Sequence, residues 1–79
     1  MEERSYTVVL HPQEEGGYTV LVPALPEAIT EGETREEALA MAREVIEMIV
    51  EDYVDNGRPL PEDVIVETVT VKLPAKIAA

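Results

Sequence analysis

Nucleophilic catalysis needs a serine, cysteine or threonine beside a base that a third group orients. The chain has one serine, Ser5, one histidine, His11, and no cysteine. Ser5 and His11 stand at opposite ends of a single alternating apolar segment, so they cannot meet, and His11 is expected to be an ordinary surface residue. A two-metal phosphodiester site needs carboxylates converging from strand interiors and helix faces. The interiors of the predicted strands offer only Glu67. Glu44, Glu47, Glu51 and Asp55 instead share the face of a helix opposite its apolar arc, which makes a solvated face, with Arg43 spaced to pair with Glu47. A single-metal site lacks histidine support. Gly16-Gly17 is followed by no helix start and by no lysine at phosphate-loop spacing. Tyr6, Tyr18 and Tyr53 are the only aromatics, with too few bases around them to stack RNA. No catalytic residue, metal ligand or cofactor is expected, and core or interface roles are left for the tyrosines.

Charge is what remains. Seventeen acids oppose six bases in 79 residues, a formal net charge of −11. That balance disfavours direct binding to a nucleic-acid backbone and steers the chain towards basic partners. There is no apolar run near the roughly 20 residues of a membrane span. The start MEERSYTV has neither a basic n-region nor an apolar h-region, so no signal peptide is read there and a cytoplasmic location is expected. The length fits one small domain, residues 1–79, with its core over 5–73 and a frayed tail at 74–79.

The alternation of SYTVVLH predicts a strand from Ser5 to His11. HPQEEGG is a loop, and YTVLV a second strand from Tyr18 to Val22, with an antiparallel hairpin between them. The PALP stretch, Pro23 to Pro26, cannot sit inside a central ladder because proline lacks the N–H. A short third strand is placed at Ala28 to Glu31. Thr34-Arg35-Glu36-Glu37 then forms a capping box. Leu39, Ala42, Ile46, Ile49 and Tyr53 make the central stripe of a helix that stops at Asn56-Gly57. The valine- and threonine-rich segment Asp63 to Leu73 predicts a last strand, with either face available for burial. The fold class expected is α+β, in the order β-β-β-α-β. One long helix packs on a four-stranded, mostly antiparallel sheet, the last strand lying parallel to a strand of the meander after a right-handed crossover.

The apolar arc of the helix spans roughly 200°, wider than the ~100° that packing on one sheet needs. Met41, Met48, Val50 and Val54 widen it and are the residues expected at a homo-oligomer interface, in a dimer or tetramer.

The run from Gly17 through the Pro-rich turn at Leu60-Pro61 resembles the HicB antitoxin family, which reads GGY-x-V-x-VP-x-LPG, then GDT-x-EEAL, then a helix, a Pro-rich turn and a strand. Gly17, Tyr18, Val20, Pro23, Leu25, Pro26, Gly32, Thr34, Glu37, Ala38 and Leu39 fall on that pattern. Glu27 and Ala28 stand where the family has glycine and often cysteine. The resemblance implies a partly degraded RNase H-like fold without nuclease chemistry and a role in a type II toxin–antitoxin system. The implied partner is a HicA-like toxin, a small basic protein that cleaves mRNA with a histidine. The residues expected to contact it are the loop acids Glu14, Glu15, Glu27, Glu31 and Glu33 and the helix acids Glu44, Glu47 and Glu51. Many family members add a DNA-binding domain, and operator binding by these 79 residues alone is not expected. The alternative is a solitary oligomeric domain of the same family, with a structural or scaffolding role and no toxin partner.

Overall fold

The computed structural model describes residues 2–76. Three short strands, β1 (Val9–Pro12), β2 (Tyr18–Leu21) and β3 (Ile29–Gly32), precede one long helix, α1 (Arg35–Asp55). The strands form an antiparallel meander in the order β1-β2-β3. Its register sets Leu10 against Val20 and Val20 against Thr30. Side chains alternate across a pleated strand, so Leu10, Val20 and Tyr18 lean to the face that α1 covers. Val20 and Ala38 are fully buried there with Ala42, and Val8, Leu10 and Tyr18 pack around them.

A second cluster fills the other end of the same layer. Val22, Leu25 and Ala28 are buried, and Tyr6, Val8, Val45, Ile46, Ile49 and Tyr53 close over them. The PALP stretch makes this possible by folding into two successive turns. Leu25 N–H donates to the Val22 carbonyl and Ala28 N–H to the Leu25 carbonyl, both at 2.8 Å. Leu25 is thereby carried under the helix with no exposed surface.

The helix begins as its sequence dictates. Thr34 has extended backbone, and its hydroxyl accepts from the Glu37 N–H at 3.1 Å. The Glu37 carboxylate reaches one residue further back than a capping box does, taking the Glu33 N–H at 2.8 Å. Glu36 and Glu37 in the first turn complement the positive end of the helix dipole. At the other end Gly57 turns left-handed at φ 64°. Gly57 N–H donates to the Val54 carbonyl and Arg58 N–H to that of Tyr53, the paired bonds of a Schellman stop. Arg58 then lies 4.0 Å over the Tyr53 ring. The most buried line of α1 starts at Ala38, one residue before the expected Leu39, which stays 38% exposed.

The bounds of all three strands differ from expectation. The first strand joins the ladder at Val9, not Ser5. Its partner strand is broken after Leu21 by Pro23, so Ser5 to Val8 are left without a ladder partner although Tyr6 and Val8 still pack inwards. The third strand runs one residue later than Ala28–Glu31, because Ala28 is spent on the turn to Leu25.

The largest correction concerns Asp63 to Leu73. Among the described residues this segment pairs with no strand, so the sheet has three strands instead of four and shows no parallel crossover. Valine and threonine favour extended backbone, but that preference does not supply a neighbour. Ile65, Val69, Val71 and Leu73 are 63–86% exposed. The radius of gyration is 16.2 Å with a longest extent of 54 Å, against about 12 Å for a compact chain of this length. Residues 62–76 are exposed throughout and form an arm outside the packed body. Of the expected tail, 77–79 lie outside the described residues. No helix among the described residues is long and apolar enough to cross a membrane.

Candidate functional site

A concavity lies at the end of the sheet where the β1–β2 loop and the β3–α1 turn come together. Gln13 builds its rim. Gln13 N–H donates to the Gly17 carbonyl and Gly16 N–H to the Gln13 carbonyl, both at 3.0 Å. The Gln13 side-chain amide donates to Thr19 Oγ1 at 2.9 Å and to the His11 carbonyl at 3.1 Å. The loop that carries Glu14 and Glu15 is thus latched to the sheet instead of trailing from it.

The opposite wall is set by a close approach. A Cβ on Gly32 would stand 2.5 Å from the Ala38 nitrogen and 2.6 Å from its Cα. Only glycine lets β3 run this near the first turn of α1. Gly17 lies in turn against the Gly32 carbonyl. Between these walls the concavity, about 550 Å³, is lined by Glu15, Glu31, Glu33 and Glu37 with Tyr18, Met41 and the loop backbone, and by no basic side chain.

The expected contact acids therefore divide. Glu15, Glu31 and Glu33 meet in the concavity, with Glu14 beside them in the loop and exposed. Glu37, placed by sequence in the cap, joins them. Glu27 sits in the turn before β3, at the far end of that strand. Glu44, Glu47 and Glu51 lie exposed along α1. Glu47 borders a groove with Arg4, Tyr6, Val50, Val54 and Leu60, and Glu51 a shallow surface with Met48, Asp52 and Asp55. The expected Arg43–Glu47 pair is not formed. The ion pair among the described residues is Arg58–Asp52, at 4.0 Å and exposed.

The four expected interface residues also divide. Met41 and Met48 lie on one flank of the helix, towards the concavity and the Glu51 surface, and Val50 and Val54 on the other. Met48 and Val54 are 65% and 61% exposed. His11 is exposed, its Nδ1 3.4 Å from the Gln13 side-chain nitrogen. Among the described residues no three His, Asp or Glu side chains are grouped as a metal site.

Sequence reasoning missed two positions. Gln13 was read only as part of a loop, although a glutamine three residues before a Gly-Gly turn can reach both strands of a hairpin. Asp63 was read as a strand start. Its carboxylate instead accepts from the Thr7 N–H at 3.0 and 2.9 Å and from the Thr7 hydroxyl at 2.7 Å. Those bonds favour the charged form and hold the Asp63 carboxyl below its ordinary value. Asp63 lies outside the concavity, whose carboxylates are those of Glu15, Glu31, Glu33 and Glu37.

Comparison with known proteins identifies the family. Residues 6–75 match the family model described as HicB-like antitoxin of bacterial toxin–antitoxin system. Antitoxin HicB 1 of Photorhabdus laumondii is 48% identical over 56 residues, covering 71% of this chain and 36% of that protein. A UPF0150 protein of Thermoplasma acidophilum is 40% identical over 58 residues, covering 73% of this chain and 84% of its own. Antitoxin HicB of Escherichia coli K12 is 33% identical over 76 residues, covering 94% of this chain and 55% of that protein. The chain thus spans between about a third and a little over half of the two named antitoxins. With the family model covering nearly its whole length, this chain belongs to the HicB-like antitoxin family of bacterial toxin–antitoxin systems.

Proposed function

We propose that this chain is a non-catalytic antitoxin that binds a small basic HicA-like toxin and masks the cationic surface with which the toxin grips mRNA. The observation that carries this reading is the concavity in which Glu15, Glu31, Glu33 and Glu37 converge with no base among them. A basic ribonuclease presents lysines and arginines to RNA phosphates. A preformed set of carboxylates competes for those same groups and speeds encounter with them. Glu14 extends the patch, whereas the carboxylates along α1 contribute to the long-range field. The β-β-β-α core supports a partly degraded RNase H-like unit, and the chain works in this reading as a self-associating protein.

Co-expression with any small basic protein encoded beside it tests the proposal. A stable complex is expected, with an affinity that falls as salt is raised. Replacing Glu15 and Glu33 together by lysine should weaken binding by at least about tenfold, or about 1.4 kcal/mol, and flatten the salt dependence. Absence of a complex overturns the assignment. An unchanged affinity in the double variant moves the contact away from the concavity.

A further inference from the structure

The arm that follows Asp63 has the composition of a buried strand and the surroundings of none. Val64, Ile65, Val66, Val69, Val71 and Leu73 are all 40% exposed or more. Its carboxylate and amine, Glu67 and Lys72, cancel, so in this highly acidic chain the arm is locally neutral. An extended apolar segment with open main-chain groups pairs with any available sheet edge. Its root is fixed, however. Thr7 holds Asp63, Tyr6 donates its hydroxyl to the Pro61 carbonyl at 2.7 Å, and Arg4 reaches the Leu60 and Pro61 carbonyls at 3.5 and 3.4 Å. The arm thus leaves the body in a set place, beside the Arg4–Thr7 stretch that leads into the first strand.

The sheet has two open edges. The β3 edge is bracketed by Glu27, Glu31 and Glu33, and inserted charge is how sheets discourage pairing. The β1 edge bears no carboxylate of its own from Ser5 to Pro12, Asp63 meeting it only at Thr7, and shows Val9 at 40% exposure. Ser5 to Val8 continue that edge beyond the end of β2.

We infer that the arm, residues 64–73, adds as a strand to the β1 edge of a second copy of this chain, whose own arm is returned to the first. An identical copy carries both the donor and the acceptor, so one two-fold axis satisfies both arms and leaves none free. The fourth strand absent from the chain's own sheet is supplied by its partner. This deepens the self-association included in the proposed function and names the segment responsible; it does not depend on a toxin.

Sedimentation of the full chain at tens of micromolar tests it, alongside Val69→Pro, which removes a main-chain donor in the middle of the arm and touches nothing in the core. The wild-type chain should run at twice the 8.7 kDa chain mass, and V69P at once that mass with its helix signal kept. A V69P dimer overturns arm exchange while leaving self-association standing. A wild-type monomer overturns both, including the case in which the arm orders only on a toxin. Thiol cross-linking gives a reading that does not rely on folding of the proline variant, since the chain has no cysteine of its own. Mixing Val9→Cys with Val69→Cys should give an inter-chain product containing one of each. Failure of that mixed product, or linkage of Val69→Cys only to itself, overturns the assignment of the β1 edge.

Discussion

Asp63 grips Thr7 through three hydrogen bonds, two from the main-chain N–H and one from the hydroxyl, at 2.7–3.0 Å. The two residues are far apart in sequence. The contact joins the stretch entering the sheet to the segment that leaves the helix, and it decides where the arm starts.

Removing this tie is expected to free the root of the arm and leave the core intact. In Asp63→Ala the Thr7 amide should exchange with solvent on the order of tenfold faster or more, while amides inside α1 keep their protection. Unchanged exchange at Thr7 would show that Tyr6 and Arg4 suffice to hold the root.

The same contact carries a pH dependence with a definite sign. Thr7 lowers the folded-state pKa of Asp63 below its ordinary value, principally through the main-chain N–H. The contribution is therefore complete above the unfolded value of about 3.9 and is lost as pH falls through the lower folded value. Following the Thr7 amide resonance in an acid titration should place the inflection below pH ~3.9. An inflection at or above that point contradicts the geometry.

Two glycines separate two kinds of cost. At Gly57 a Cβ would touch nothing, so Gly57→Ala meets only the left-handed backbone at φ 64° and should cost about 1 kcal/mol. At Gly32 the Cβ would meet main-chain atoms of Ala38 at 2.5–2.6 Å, which cannot swing aside. Gly32→Ala should cost about 3 kcal/mol in urea unfolding, and it should also loosen the wall of the acidic concavity. Equal losses in the two variants would argue against the close approach.

The helix start makes a smaller, cleaner test. Thr34→Ala removes the acceptor for the Glu37 N–H and should cost about 1 kcal/mol. Thr34→Ser keeps the oxygen and should recover most of it, measured as the shift in urea midpoint.

How much of this was legible beforehand depends on the range over which each signal acts. The cap at Thr34, the stop at Gly57 and the hairpin around Gly16-Gly17 are local, and the residues that make them lie within a turn of one another. That the second strand stops at the PALP stretch was legible for the same reason, because Pro23 cannot donate, although the ladder ends at Leu21, one residue before the expected Val22. The extent of the first strand was not, since it depends on where its neighbour ends. Asp63 to Leu73 is the extreme case: its pattern reports extended backbone and burial, and neither property states which chain supplies the neighbouring strand. The acidic residues were visible as a list, but their sorting into one concavity and two helix surfaces needed the Gly32–Ala38 approach that brings Glu33 and Glu37 alongside Glu15.

Leu25 provides a final test of how the PALP stretch serves the rest of the molecule. It is fully buried between Val22, Ala28 and the second half of α1, and its main chain closes both turns of that stretch. Truncation leaves the turns formed and empties the space beneath the helix, so Leu25→Ala should cost about 3 kcal/mol. Ile29→Ala, at a position 61% exposed on the next strand, should stay within about 0.5 kcal/mol. If both variants unfold at similar urea concentrations, Leu25 is not the plug that holds the sheet to the distal half of the helix. If only Leu25→Ala shifts, the loss should appear first as faster amide exchange around Ile46 and Ile49, the helix residues that close over it.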